Sequence, residues 1–193
     1  IQINPKYLNA HNNLAAVFKL LGELQKALGS CQKSIEINPN NLNAHNNLAA
    51  VFYEMGELKK SISCYQKVIQ IKPNNAATYN NLGIAYYEAG EIQKAKNCYN
   101  KVIQINPNHI NAYYNLGEIY RDVKEFKKAS DYFKKVDTQL GNAQFLECIY
   151  FSNGLKKYNE LLKTFVEKDP LNLRIAALAS YVSKKENISN IYP

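Results

Sequence analysis

Asparagine recurs in this sequence with a fixed spacing. Asn13, Asn47, Asn81 and Asn115 stand 34 residues apart, Asn12, Asn46 and Asn80 form a second row that ends in Tyr114, and Asn9, Asn43 and Asn111 form a third, interrupted by Ala77. A carboxamide offers both a donor and an acceptor. A file of them can hold the backbone of an extended peptide whatever side chains that peptide carries, or it can bond neighbouring helix ends and tie one structural unit to the next. The stretch "LNAHNNLAAVF" occurs at 8–18 and again at 42–52. Adjacent asparagines inside a helical stretch need a purpose of this kind, because the Asn amide competes with the backbone for hydrogen bonds.

Other chemistries find no footing. Cys31, Cys64, Cys98 and Cys148 are far apart and form no CxxC pair, which reads as reduced, half-buried thiols. His11 and His45 are one letter in two copies of a repeat, and His109 adjoins an Asn-Pro-Asn turn. A closed metal site needs three or four clustered ligands. There is no Ser/His/Asp or Cys/His arrangement beyond what the repeat explains and no glycine-rich phosphate loop, so no catalytic residue, cofactor or metal is expected.

The period that spaces the asparagines also organises the chain. "CQKSIEINPNN" (31–41), "YQKVIQIKPNN" (65–75) and "YNKVIQINPNH" (99–109) repeat at 34 residues, which divides the chain into four units at 8–41, 42–75, 76–109 and 110–143. Within the first, His11, Leu14, Ala15 and Phe18 make one helical stripe, Gly22 a turn, and Leu24, Ala27, Leu28, Cys31 and Ile35 a second stripe. Each unit is thus a helical hairpin, ended where the residue before proline is pushed out of helical geometry.

With Tyr79, Leu82, Gly83, Tyr86, Gly90, Ala95, Tyr99 and Pro107 at their mutual spacings, the chain resembles a tetratricopeptide-repeat (TPR) array. The resemblance implies an all-α, right-handed superhelical solenoid of antiparallel helix pairs. Small residues at Gly83 and Ala95 would allow close helix approach. The fourth unit departs from the pattern with Lys124 at the turn and Gly141 in place of Pro. A degenerate fifth hairpin is expected over 142–170, with helices around 142–152 and 158–168 separated by "SNGLKK", then a capping helix over 171–186 and a loose tail over 187–193. Ile1–Pro5 repeats "IQINP" of 103–107, so residues 1–7 read as the end of a preceding repeat and the chain as a fragment of a longer protein.

In a TPR solenoid the first helix of each hairpin lines the concave groove. The resemblance therefore places Asn13, Asn47, Asn81, Asn115, Asn12, Asn46 and Asn80 there, with Tyr53, Tyr87 and Tyr114 as flat amphipathic contacts. The arrangement is similar to the asparagine ladder in the TPR arm of O-linked N-acetylglucosamine transferases, which contacts peptide backbones. Glu54, Glu88, Glu118 and Asp122 outnumber Lys19 and Arg121 on this side, so the groove reads as mildly acidic. A chaperone-type carboxylate clamp needs a Lys and an Asn one turn apart, whereas Asn12 and Ala16 occupy those places.

A second resemblance covers 145–193, where "LECIY" and "KDPLNLRIAA" look like the segment that joins TPR arrays to a 2-oxoglutarate/Fe(II) dioxygenase domain in bacterial proteins. No HxD or HxE is present, so such a domain would lie beyond Pro193. The expected function is a non-catalytic protein-interaction scaffold that binds an extended peptide or partner helix, with self-association through exposed terminal hairpins as a further possibility. A net charge of +8 raises nucleic acid as the rival. That reading requires the lysine rows 26, 60, 94, 128 and 33, 67, 101, 135 to form one contiguous track, and it is disfavoured. No apolar run approaches the ~20 residues of a membrane span, and the first residues lack signal-peptide features, which makes the cytoplasm the expected compartment.

Overall fold

The computed structural model describes residues 5–187, which are helical almost throughout. Among them, ten helices follow one another as antiparallel pairs: α1 (Pro5–Leu20), α2 (Leu24–Ile37), α3 (Leu42–Glu54), α4 (Leu58–Ile71), α5 (Ala76–Glu88), α6 (Ile92–Ile105), α7 (Ile110–Asp122), α8 (Phe126–Phe133), α9 (Gln139–Lys168) and α10 (Leu173–Glu186). The all-α paired architecture is the one the repeat pattern implies. The chain divides into two compact units, residues 1–107 and 108–193, each described by itself below.

In the first unit α1–α2, α3–α4 and α5–α6 are hairpins, and α2 and α4 also pack on the hairpins that follow them. The turns share one construction. Gly22, Gly56 and Gly90 take φ of 74°, 75° and 74°. Each donates to the carbonyl three residues back, and the next residue donates to the carbonyl five back, as in Glu57 N–H to Phe52 O at 2.8 Å. This is the Schellman closure that favours glycine at the left-handed position. The following hairpin starts with an asparagine cap: Asn41 Oδ1 accepts from Asn43 and Ala44 N–H, and Asn75 Oδ1 from Thr78 N–H. Capping by the last letter of "PNN" satisfies amides that have no partner within the helix.

Hairpins close by pairing small residues with large ones. A Cβ added at Gly83 would stand 2.6 Å from the Tyr99 ring, and Tyr99 is 2% exposed. In the second unit Gly117 stands to Phe133 in the same way. The first-unit core runs through Ala15, Ala27, Cys31, Ala44, Val51, Tyr65, Val68, Leu82, Ala85, Ala95, Tyr99 and Val102, all buried.

The second unit departs from the expected boundaries. α8 is only 8 residues long, where α2, α4 and α6 have 14. The chain turns at Val136 instead, and Thr138 caps α9, its Oγ1 accepting from Gly141 N–H at 3.0 Å. Gly141 is small because a Cβ there would collide with the Val136 carbonyl. The expected "SNGLKK" loop is far tighter than anticipated, since only Gly154 leaves helical geometry, at φ 76° and ψ −179°. α9 folds back on itself at that residue: the Phe145 and Phe165 rings lie 6.1 Å apart, where a straight helix would separate positions 20 apart by about 30 Å. Its two arms and α10 share a core of Leu146, Tyr150, Tyr158, Leu162, Ile175, Ala179 and Val182.

α1 begins at Pro5, earlier than the unit boundary at Leu8, because proline fits the first helical turn, where no N–H is needed. The remainder of the expected 1–7 repeat end, and the tail beyond Asn187, lie outside the described residues.

Candidate functional site

The asparagine rows separate by depth. Asn12 is buried, and its Oδ1 accepts from Ser34 Oγ at 2.8 Å and from Asn41 Nδ2 at 3.2 Å, which ties α1, α2 and the cap of α3 into one network. Asn46 is half-buried, its Oδ1 accepting from Thr78 Oγ1 at 3.2 Å, and Asn80 is buried. In the first row, half-buried Asn47 donates from Nδ2 to the Asn12 carbonyl at 3.1 Å, joining α1 to α3. Asn13 and Asn81 are exposed, and Asn115, in the second unit, is half-buried.

One recess brings expected site residues together. On the first-helix side of residues 5–107, Lys19 of α1, Ala50, Tyr53 and Glu54 of α3, Tyr65 of α4, and Asn81 and Ile84 of α5 line a depression of about 220 Å³. Lys19 Nζ lies 3.4 Å from Glu54 Oε1. Burial raises the Tyr53 hydroxyl pKa, and the nearby Glu88 carboxylate adds to the shift. Burial also pushes Tyr65 up to about 12, with Tyr53 contributing, while Asn81, within hydrogen-bonding reach, opposes the shift. Both phenols stay neutral at physiological pH, so the recess offers hydroxyl donors, a carboxamide and the Lys19–Glu54 pair beside the apolar side chains of Ala50 and Ile84.

Sequence reasoning missed Tyr65 because it considered first helices alone. The available signal was the small-to-large pairing: Tyr65 stands to Ala49 in the 34-residue register as Tyr99 stands to Gly83. Tyr87 is half-buried and does not line the recess. Tyr114, in the second unit, meets the Phe133 ring edge-on at 5.7 Å and sits beside Glu118. There Arg121 donates to Glu118 Oε2 at 2.7 Å and to Gln144 Oε1 at 2.5 Å.

Two larger grooves lie on the second-helix side of the first unit. Gln32, Ile35, Glu36, His45, Leu48, Ser63, Cys64 and Lys67 line one of about 660 Å³. A second, of about 500 Å³, uses the equivalent positions one repeat later, including Gln66, Ile69, Tyr79, Leu82 and Cys98.

One of the two lysine rows is structurally committed. Lys26, Lys60, Lys94 and Lys128 each pair with the glutamate three residues earlier, Glu23, Glu57, Glu91 and Glu125. Each ammonium also lies 5.2 to 5.5 Å above the ring of Phe18, Phe52, Tyr86 or Tyr120, within cation–π range. Among the described residues no group of three His, Cys, Asp or Glu could hold a metal ion. No described helix is long and apolar enough to cross a membrane.

Residues 8–41 and 76–109 match the family described as tetratricopeptide repeat, as do 30–63 and 98–137 with a second form of it, and 51–90 match the family described as TPR repeat. Together these matches run from 8 to 137, and the chain belongs to the TPR proteins. Among curated protein sequences none matches it. Of solved structures, PilF of Pseudomonas aeruginosa is similar at 22% identity and TM-score 0.77, with 95% of this chain and 86% of that chain covered. MamA is similar at 19% and 0.74, covering 86% and 93%. YrrB, described as a TPR protein with an unusual peptide-binding site, is similar at 16% and 0.66, covering 86% and 88%. At these identities the likeness is one of fold.

Proposed function

We propose that this chain is a non-catalytic scaffold that binds an extended peptide across the first-helix face of residues 5–107. The observation that carries the reading is the recess of Lys19, Ala50, Tyr53, Glu54, Tyr65, Asn81 and Ile84, in which residues of four helices converge. TPR repeats serve protein and peptide binding generally, and the structurally similar YrrB is described as having a peptide-binding site. Asn81 and Tyr53 supply the ligand contacts, whereas Asn12, Asn46, Asn47 and Asn80 brace the hairpins. Asn13, exposed on α1, extends the contact surface, and Asn115 and Tyr114 offer comparable chemistry within the second unit.

In this reading residues 8–141 are the repeat array, 142–170 and 171–186 its closing elements, and the whole a cytoplasmic recognition arm of a larger protein. The resemblances to transferase and dioxygenase arms motivate the last point. Of the letters behind the dioxygenase resemblance, Leu146, Cys148, Ile149, Tyr150 and Ile175 are core residues, while Leu171 and Leu173 are exposed; the buried ones speak for shared packing and not for shared chemistry. The lysine–glutamate–aromatic clamps weigh against the nucleic-acid alternative.

Selection of a random nonapeptide library on the full chain tests the reading. Peptides that bind should lose at least tenfold in affinity on Tyr53→Ala and Asn81→Ala, with melting temperatures unchanged. Peptides that bind both variants as they bind the parent chain would overturn it.

Self-stacking is a second reading with its own observation. Leu14, Val17, Leu20 and Leu21 of α1 are 44%, 49%, 82% and 66% exposed, while Val51 and Leu82, equivalents of Val17 and Leu14, are buried. Light scattering that shows association lost on Leu14→Lys would support it, and a monomer at high concentration would exclude it.

A further inference from the structure

Resting on the peptide-binding reading above, we infer that the recess on α1, α3 and α5 seats a basic side chain of the bound peptide, Arg or Lys. The groups that line or border it suit a cation. Glu54 lies at its wall, and Glu88 is close enough to act on the Tyr53 hydroxyl. The half-buried Tyr53 ring adds aromatic surface, which attracts cations through its negative face, Tyr65 lines the recess from the core beneath, and the Asn81 carboxamide oxygen can accept a hydrogen bond. The space amounts to that of about seven waters in the liquid, enough for one long side chain and too little for a helix.

The resident charge points the same way. Lys19 is the one cation among the lining residues, and it is already matched by Glu54 at 3.4 Å. Among the described residues Glu88 forms no ion pair, which leaves it as the unmatched charge of the three. This local excess of carboxylate stands against a chain of net charge +8, so it is not an echo of composition. A partly exposed pair such as Lys19–Glu54 is readily exchanged, and an incoming guanidinium could engage Glu54 in a two-pronged hydrogen bond that an ammonium cannot make. An acidic side chain would meet a single cation, one already neutralised.

The test uses the full chain and the same random nonapeptide library, selected in parallel on the parent and on a Glu54→Gln/Glu88→Gln double variant, with melting curves to verify folding. The expected result is a fixed Arg or Lys in the peptides selected on the parent, and at least a tenfold affinity loss for those peptides on the double variant. Lys19→Met should tighten the same peptides several-fold by freeing Glu54. Selected peptides without a basic position, a basic preference that survives in the double variant, or an unchanged affinity on Lys19→Met would overturn the inference while leaving the scaffold reading intact. Failure to select any peptide would overturn both.

Discussion

Asn12 and Asn13 are neighbours with opposite environments. A helix turns by about 100° per residue, which carries Asn12 into the interface beneath α1 and leaves Asn13 in solvent. Asn12→Ala would strand Ser34 and Asn41 donors inside the first unit and should cost about 1–3 kcal/mol of unfolding free energy. Asn13→Ala should change it by less than about 0.5 kcal/mol. Chemical denaturation of the two variants measures the difference. The periodicity alone marked both positions as special but could not tell bracing from binding. The partners available to each asparagine differ from repeat to repeat: Ser34 gives way to Val68 and Val102, and Asn46 bonds Thr78 instead. The exact duplication of "LNAHNNLAAVF" therefore does not carry an exact duplication of its hydrogen bonds.

Among the elements, the turn of the fourth hairpin shows how a broken pattern can preserve geometry. Lys124 replaces the turn glycine yet takes φ 59°, and it keeps the bonds of the other turns: Lys124 N–H to Arg121 O and Glu125 N–H to Tyr120 O, both 2.8 Å. A side chain at left-handed φ is disfavoured by contact of Cβ with the backbone. Lys124→Gly should therefore stabilise the chain by about 0.5–1 kcal/mol, and Gly56→Ala should destabilise it by about 1 kcal/mol, as thermal or urea unfolding would record. The hairpins of residues 8–109 were legible because apolar spacing, turn glycine and Asn-Pro all coincide there. The fifth hairpin was legible in position and not in form, since one glycine can replace a whole loop and nothing local to "SNGLKK" specifies how abruptly the chain reverses. The shortness of α8 was hidden for a related reason: it follows from Thr138 capping the next helix, a competition between two helices for the same residues.

For the molecule as a whole, buried thiols and phenols should set the alkaline limit of stability. Burial pushes the thiols of Cys31 and Cys148 up to about 12 from an ordinary 9.0, Cys64 and Cys98 up to about 11, and the Tyr65 and Tyr158 hydroxyls up to about 12 from 10.0. These groups hold their protons more tightly folded than unfolded. Their contribution is complete below the unfolded values and is lost as pH rises toward the folded ones. Melting temperature should be flat near neutrality and fall progressively from about pH 9 to pH 11, and melting curves at unit pH steps would check it. A constant melting temperature to pH 11 would show that the thiols are not buried as described.

The recess proposed to bind peptide belongs to the assembled first unit, because it draws on α1, α3, α4 and α5 and exists in none of them alone. The asparagine and tyrosine rows pointed to the first-helix face. Its narrowing to one recess was not legible, since Tyr65 comes from a second helix and Asn47 is committed to the Asn12 carbonyl. The decisive measurement is amide and side-chain chemical-shift mapping of the full chain titrated with a library-selected nonapeptide. Shifts should concentrate on Lys19, Ala50, Tyr53, Glu54, Asn81 and Ile84. Shifts gathered instead on Gln32, Ile35, Leu48, Cys64 and Lys67, which line the larger groove on the opposite side, would contradict peptide binding at the first-helix face.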